Sequence, residues 1–328
     1  MRHPARRNAL ILAAASLAAP ALIGTAQAQQ APSPPAPVPP PETPGFYRFK
    51  VGGFTVTTVH DGHARRPIEG LVLNASVEDV RAVLAESFLP TDHYKGPYTV
   101  TFVDTGRHLI AFDAGTGAQM APTAGHLAHN MRAAGIDPAR VTLVVITHCH
   151  QDHIHGLTTR EGAAVFPNAE VAVAEAEWAW WSDVANETRS PQGQRVNFAN
   201  VARRFAPYTN HLRRFGDGAE LAPGIRAVAA AGHSPGHTVV QVADGNDQLL
   251  ILADITHRPE LFARRPDYVS LFDFDGAAAA ATRRRILDRA AADRVRVTGY
   301  HFPFPATGHI AREGNGFHFV ASDWSSEV

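Results

Sequence analysis

The sequence predicts an α/β fold in which β-sheets are covered by helices on both outer faces. Short runs rich in β-branched and aromatic residues form an early and a late group, at 54–60, 98–104, 108–115, 169–174, 224–231, 238–244 and 248–254. Helical segments lie between and after these groups, and the longest helix is expected at 277–292. Each sheet must bury its apolar face and each helix its apolar stripe, so this order of elements predicts a layered packing.

Start and stop signals place the first helices and the central strand. Ser76 and Asp79 form a capping box ahead of "VRAVLAESFL", which predicts a helix that begins after Ser76 and contains this segment. A second helix is expected over 123–134 and should end at Gly135. The apolar run at 141–146 then predicts a buried strand, and "RVRVTGYH" at 294–301 predicts the last one.

The composition favours small-molecule chemistry. The chain of 328 residues has 30 basic and 31 acidic residues and a formal net charge of −1. No long run of one sign indicates a nucleic-acid groove or a polybasic membrane surface. A single cysteine excludes an internal disulfide framework, whereas 18 histidines could serve as metal ligands. Any bound metal should therefore be held by nitrogen and oxygen atoms.

The first 45 residues are expected to direct export and to act as a spacer. Arg6 and Arg7 precede an apolar stretch at 8–24, and "AQA" at 26–28 is a small-x-small cleavage signal. We expect a signal peptide at 1–28, a proline-rich linker at 29–45, a single folded domain at 46–328, and a periplasmic or secreted protein. Both the Sec and the twin-arginine routes fit, and an uncleaved N-terminal anchor is the alternative.

The motif "THCHQDH" at 147–153 is the strongest chemical signal. His148 and His150 alternate along an extended chain, so both imidazoles can face one point. Asp152 and His153 follow where the chain turns, and they can face a neighbouring point. Imidazole and carboxylate together suit zinc, iron or manganese better than calcium or magnesium. Cys149, between two of these residues, should face the opposite side as a small buried apolar group.

Three further candidates come at the ends of later apolar runs. His233 opens "HSPGHT", Asp254 closes "QLLILAD" and His301 closes "RVRVTGYH". Each is a weak signal by itself, because polar residues commonly end strands. Combined with the first motif, they make five histidines and two aspartates, which is enough for two metal ions.

The order of these motifs resembles that of the metallo-β-lactamase superfamily, from about Phe46 to the C-terminus. "GFYRFKVGGFTVTTVHDG", "GYHFPFPATGHI" and the exported leader are most similar to the methyl parathion hydrolase and quorum-quenching lactonase group. The resemblance implies a four-layer αβ/βα sandwich with the metals at one edge. It also implies one metal on His148, His150 and His233, a second on Asp152, His153 and His301, Asp254 as the bridge, and Asp113 as a support for the ligands.

The expected reaction is hydrolysis of a lactone, ester or phosphotriester by a metal-bridging hydroxide. Two divalent ions can lower the pKa of a bound water and polarise the oxygen of the electrophile. Zinc is the first expectation, with Mn, Co or Fe as alternatives, and Asp152 and Asp254 are the expected catalytic residues. Three alternatives stay open: an iron-dependent redox enzyme, a β-lactamase, and a non-catalytic periplasmic carrier of metal or ligand.

The substrate pocket is predicted from aromatic and neighbouring residues. Trp180 or Trp181 could line it, whereas Trp178 is expected in the core. The full set of candidates is Trp180, Trp181, Met120, Phe198, Phe205 and His155. His155 stands where the superfamily usually has a small residue, so it either contacts substrate or faces solvent. The expected partner is a small molecule, with no nucleic acid and no membrane after signal cleavage, and a homodimer is left open.

Overall fold

The structure is a computed structural model that describes residues 43, 45–326 and 328. The predicted signal peptide and nearly all of the predicted linker lie outside the described residues. The first strand begins at Phe46. No helix among the described residues is long and apolar enough to cross a membrane.

Seven strands form the first sheet, and they follow one another in sequence order. They are β1 (Phe46–Val51), β2 (Phe54–Pro67), β3 (His93–Asp104), β4 (Leu109–Phe112), β5 (Leu143–Ile146), β6 (Glu170–Ala174) and β7 (Leu212–Phe215). Strands β1 to β4 pair antiparallel, and β4 to β7 pair parallel. The parallel part carries the fully buried run of β5, as expected for strands covered on both faces.

A second sheet of seven strands comes from the rest of the chain. Its strands are β8 (Glu220–Ala222), β9 (Ile225–Ala229), β10 (Thr238–Asp244), β11 (Asp247–Ile251), β12 (Arg296–Thr298), β13 (Thr307–Glu313) and β14 (Gly316–Ala321). All neighbours pair antiparallel except β11 and β12, which are parallel.

Seven α-helices lie among the described residues. They are α1 (Val77–Glu86), α2 (Leu127–Ala133), α3 (Gln151–Ile154), α4 (Glu175–Trp181), α5 (Val196–Phe205), α6 (Pro259–Phe262) and α7 (Gly276–Ala292). The predicted cap of α1 is confirmed, because the Ser76 hydroxyl accepts a hydrogen bond from the Asp79 N–H at 3.1 Å. The helix begins at Val77, directly after this cap, and ends at Glu86.

The two sheets pack face to face around a shared apolar core. Val103, Phe112 and Val145 of the first sheet contact the same cluster as Val240 and Ile251 of the second. All five side chains are buried. Burial of this kind stabilises the sandwich by about 1.5–3 kcal/mol for each large aliphatic or aromatic side chain.

Helices cover the outer face of each sheet. Met131 of α2 and Phe205 of α5 pack with the outer side of the first sheet. Ile286 and Leu287 of α7 pack with the outer side of the second. The layers therefore run helix, sheet, sheet, helix, which confirms the predicted four-layer αβ/βα sandwich and the α/β fold class.

Four helices, α3 to α6, and several strands were not predicted. Helices α3 and α6 have only four residues each, and α4 and α5 begin without a side-chain cap, so their sequences lack the usual start signal. Helix α2 begins at Leu127 instead of 123, and its first N–H donates to the Asp61 carboxylate at 2.7 Å. A distant side chain thus caps this helix, which no local pattern reveals. Strands β1, β7, β8, β13 and β14 were also missed.

Candidate metal centre

The seven predicted ligands follow the carboxyl ends of four strands that meet at one edge of the sandwich. The first motif follows β5, His233 follows β9, Asp254 follows β11 and His301 follows β12. His150 has an extended backbone and α3 begins at Gln151, so the chain turns between His150 and Asp152 as expected. The structure therefore brings together side chains separated by up to 153 positions in the sequence.

His148, His150 and His233 form the first cluster. His148 Nε2 lies 3.0 Å from His150 Nδ1, and His233 Nε2 lies 3.0 Å from the same atom. These three nitrogens converge on one point, which is the arrangement that a metal held by three imidazoles requires.

Asp152, His153 and His301 form the second cluster. Asp152 Oδ2 lies 3.4 Å from His301 Nε2 and 3.6 Å from His153 Nε2. Tyr300 supports this cluster in two ways. Its hydroxyl donates to the Asp152 carbonyl at 2.6 Å, and its ring centroid lies 3.9 Å from that of His153.

Asp254 lies between the two clusters and faces both. Its Oδ1 is 3.4 Å from His153 Nε2. Its Oδ2 is 3.0 Å from His301 Nε2, 3.4 Å from His233 Nε2 and 3.8 Å from His148 Nε2. This carboxylate can therefore contact an ion at either cluster.

Hydrogen bonds on the far ring nitrogen orient four of the five histidines. The contacts are Thr147 Oγ1 to His148 Nδ1 (3.1 Å), Asp113 Oδ2 to His153 Nδ1 (2.7 Å), Asp273 Oδ1 to His233 Nδ1 (3.0 Å) and the Pro97 carbonyl to His301 Nδ1 (2.8 Å). Each leaves Nε2 directed at the clusters. Partners of this kind fix the ring and the tautomer of a metal-binding histidine.

Two non-glycine residues with left-handed backbone stand beside these ligands. Asp113 has φ 67° and Ala253, directly before Asp254, has φ 47°. Such conformations cost of order 1–3 kcal/mol each and tend to occur where side-chain placement matters. Asp113 is held there by the N–H and hydroxyl of Thr147.

Burial keeps the first cluster neutral. It is the largest cause that holds the pKa of His148 and His233 well below the ordinary histidine value, and neighbouring imidazoles lower both further. The pKa of His150 is also lowered, again mainly by burial. Neutral imidazole is the form that binds metal.

The second cluster pairs charges instead. Burial would raise the pKa of Asp254, but His301 and His153 outweigh burial and hold it well below the usual range. Burial would lower the pKa of His153, but Asp254, Asp113 and Asp152 together raise it well above the ordinary value. This concentration of carboxylates around one imidazole would accept a divalent cation in place of the proton.

The donor set fits a pair of divalent ions. His153 Nε2 and Asp254 Oδ1 are buried and have no hydrogen-bond partner of good geometry among the described residues. Both residues belong to groups of side chains that could hold a metal ion, and a bound ion would supply the partner that these buried atoms lack. Imidazole and carboxylate donors favour zinc, iron, manganese or cobalt.

A cavity of about 680 Å³ opens onto both clusters. His150, Asp152, Asp254 and His301 form its floor together with His257, which was not predicted as a site residue. Its walls are largely apolar and include Met120, as predicted. The other apolar wall residues are Ala64, Leu73, Tyr94, Tyr98, Pro191, Val269, Leu271, Phe272 and Phe274.

The five other predicted pocket residues, which are Trp180, Trp181, Phe198, Phe205 and His155, do not line this cavity. Trp181 is 1% exposed and packs on Phe198, also buried, in the core under the first sheet. Trp180 packs behind Phe274, which lines the cavity in its place. His155 is 6% exposed, so it neither faces solvent nor reaches the cavity.

The predicted positions of two other residues are confirmed. Cys149 is buried among apolar side chains. Trp178 packs against the core, with its ring 5.2 Å from that of Phe205. His237 accepts a hydrogen bond from the Asp254 N–H through Nε2 at 3.1 Å, so it supports the bridging residue.

Comparison with known proteins identifies the family. The sequence profile described as the metallo-beta-lactamase superfamily matches residues 93–299, a range that contains most of both sheets and all the residues of the first motif. The chain belongs to the metallo-β-lactamase superfamily. The superfamily inferred from the order of the motifs is therefore confirmed.

Solved structures of the superfamily share this fold. AidC, described as a dizinc quorum-quenching lactonase in complex with the product N-hexanoyl-L-homoserine, is 23% identical, with a TM-score of 0.81, covering 86% of this chain and 99% of that one. A hydrolase named AbOPH is 23% identical, with a TM-score of 0.82, covering 87% and 100%. A probable metal-dependent hydrolase from Staphylococcus aureus is 18% identical, with a TM-score of 0.68, covering 84% and 100%.

Sequence reasoning missed three residues that contact the predicted ligands or adjoin them. They are Tyr300, Asp273 and Glu177. Tyr300 directly precedes a predicted ligand, so proximity in sequence could have identified it. Asp273 and Glu177 lie far from any ligand in sequence and carry no local signal.

Proposed function

We propose that this chain is a hydrolase that uses a pair of divalent metal ions to cleave a lactone, an ester or a phosphotriester. The observation that carries the proposal is the position of Asp254 between two clusters of metal-binding side chains, at the floor of the cavity. The first ion would be held by His148, His150 and His233, and the second by Asp152, His153 and His301. Zinc is the first candidate metal.

When bound, two such ions supply an activated water near neutral pH and polarise the oxygen of the electrophile. The chain's own groups would then place the reactants. Asp152 lines the cavity with a side chain that is 16% exposed. Its carboxylate can orient the attacking water and accept a proton from it.

The cavity supports a substrate with an apolar substituent. Its volume is within the range of small-molecule pockets, and its wall contains aromatic and aliphatic side chains such as Phe272, Phe274 and Leu271. An acyl chain or an aryl leaving group would pack against this wall. The lactonase AidC, which has the same fold, was described with an N-acyl homoserine product, and this supports a lactone as the first substrate to test.

Metal analysis combined with a chromogenic panel of lactones, aryl esters and organophosphates tests the proposal. The expected result is two metal ions per chain, turnover that a chelator abolishes, and recovery with Zn, Mn or Co. His150→Ala should lose metal and activity, whereas His318→Ala, which removes an exposed histidine of β14, should retain both. Full metal content and rate in His150→Ala would refute the site assignment.

Two other outcomes would refute hydrolysis itself. Two bound metals without turnover across the panel would favour a carrier. Oxygen consumption by an iron-loaded protein would favour a redox enzyme.

We further propose that the chain is exported, on the basis of the basic, apolar and small-residue order of residues 1–28. A mature N-terminus near Gln29 in the periplasmic fraction is the expected result. Replacement of Arg6 and Arg7 by lysine should block export by the twin-arginine route and leave the Sec route intact.

A further inference from the structure

Glu177 is a fully buried glutamate on α4 that lies outside the proposed ligand set. We propose that it is a positioning residue, which holds two separate ligand-bearing segments in register. The first histidine segment is residues 147–153, and the second histidine segment is residues 233–237. The inference rests on the proposed metal site and adds a residue on which that site depends.

Each carboxylate oxygen of Glu177 accepts two hydrogen bonds. Oε1 accepts from the N–H of Cys149 at 2.8 Å and from the indole N–H of Trp181 at 2.8 Å. Oε2 accepts from the Ser234 hydroxyl at 2.7 Å and from the N–H of Gly236 at 2.6 Å. One side chain therefore ties both segments to the same helix.

These contacts are made at the positions that decide where the ligands point. Cys149 lies between His148 and His150, and Ser234 directly follows His233. The three imidazoles of the first cluster come from these two segments, and their nitrogens must stay within about 3 Å of one another. A small shift between the segments would open that cluster, while the second cluster takes none of its three ligands from the second histidine segment.

The close approach of the second histidine segment to α4 is also built into its sequence. A Cβ at Gly236 would lie 2.2 Å from the Glu177 backbone nitrogen, so only glycine allows this contact. In addition to the contacts of Glu177, the N–H of Thr238, directly after the second histidine segment, donates to the carbonyl of Thr147 in the first segment at 3.0 Å.

A carboxylate is required here and an amide cannot replace it. A backbone N–H faces Oε1 and another faces Oε2, so a glutamine in either orientation would direct its own N–H₂ at a backbone donor. The Ser234 hydroxyl could turn to accept, but the N–H of Gly236 or of Cys149 could not. A buried donor left without an acceptor is costly, and the segments would move apart to relieve it.

Glu177→Gln in the full-length protein tests the inference, with metal affinity measured by competition against a chromogenic chelator. We expect the ion at the first cluster to bind about 10- to 100-fold more weakly, which is the effect of losing a partner behind the ligands. The ion at the second cluster should bind within about threefold of wild type. The visible spectrum of the cobalt-loaded variant should accordingly show one site instead of two.

A core variant separates positioning from general destabilisation. Leu287→Ala in α7 leaves a cavity in the outer core of the second sheet, away from both segments. Its unfolding midpoint should fall at least as far as that of Glu177→Gln, with both metal affinities retained. Wild-type affinities in Glu177→Gln, or the same selective loss in Leu287→Ala, would overturn the inference.

Hydrogen exchange of the metal-free proteins gives a second, independent result. The amides of Cys149 and Gly236 should exchange at least tenfold faster in Glu177→Gln than in wild type, and remain slow in Leu287→Ala. Unchanged exchange would overturn the inference. A wild-type protein that binds no metal would refute the proposed function, and this exchange comparison would still decide whether Glu177 holds the two segments.

Discussion

Arg283 is a buried arginine that pairs with Asp273, the residue that contacts the His233 ring. Its replacement by methionine tests how much this buried pair contributes to the stability of the fold. Its side chain is 1% exposed and lies between α7 and the loop that contains Asp273. It donates to the carbonyls of Ile255, Pro266 and Tyr268 at 2.8, 3.1 and 2.6 Å. It also pairs with Asp273 Oδ2 at 3.3 Å.

The expected loss of stability follows from these contacts. Removing one member of a buried ion pair costs about 3–5 kcal/mol, because the other charge is left uncompensated. Asp273 would keep the N–H of Ser270 and the ring of His233 as partners. Methionine would also fill part of the space, so we expect a decrease of about 4 kcal/mol in the free energy of unfolding. For a domain of this size that is on the order of 10 °C in Tm.

Denaturant unfolding in the presence of a chelator measures the effect without a contribution from metal binding. Arg284→Met is the matched control, since the neighbouring arginine is exposed and should change stability by less than about 0.5 kcal/mol. The double variant Arg283→Met/Asp273→Asn should be less destabilised than the sum of the single variants, by about 1–3 kcal/mol. A loss below about 1 kcal/mol in Arg283→Met, or strict additivity, would refute the reasoning.

Three further predictions concern metal, pH and a helix cap. Removal of divalent ions should lower Tm and zinc should restore it, because an ion present at 100 times its Kd stabilises the folded state by about 2.7 kcal/mol. A Tm that does not change when a chelator is added would contradict the proposed site. Burial is the main cause that lowers the pKa of His60 to about 4, so the unfolded state takes up a proton first as the pH falls from 6.5 towards 4. The free energy of unfolding should therefore fall between pH 7 and pH 4.5, and His60 should account for up to about 3 kcal/mol of that decrease. Urea unfolding at the two pH values should show a correspondingly smaller decrease in His60→Gln. An equal decrease in both proteins would show that His60 titrates normally. The Asp275 side chain accepts a hydrogen bond from the Ala278 N–H at 3.0 Å at the start of α7. Asp275→Ala should therefore lower the free energy of unfolding, measured with denaturant, by about 1 kcal/mol. Asp275→Asn keeps a capping oxygen and should stay near wild type.

Local spacing was enough to predict that the first four candidate ligands lie together. His148 and His150 alternate along the chain after β5, and Asp152 and His153 stand in the first turn of α3, so their relative positions depend on the backbone of seven consecutive residues. The other three candidates were predicted from their place at strand ends. The structure brings them to one place because the strands that precede them, β9, β11 and β12, run in the same direction, so their carboxyl ends lie at the same edge of the second sheet.

By itself, the sequence determined the layer order, the helix with a strong local cap, and the identity of the clustered histidines and aspartates. The tertiary structure alone decided which side chains orient the ligands and which line the cavity. Asp273 meets His233 across 40 positions, and Glu177 meets Gly236 across 59. Trp180 and Trp181 have the composition of a pocket wall, yet both pack behind Phe274. Contacts of this kind depend on which faces are buried when the sheets close, and no periodic pattern in the chain encodes them.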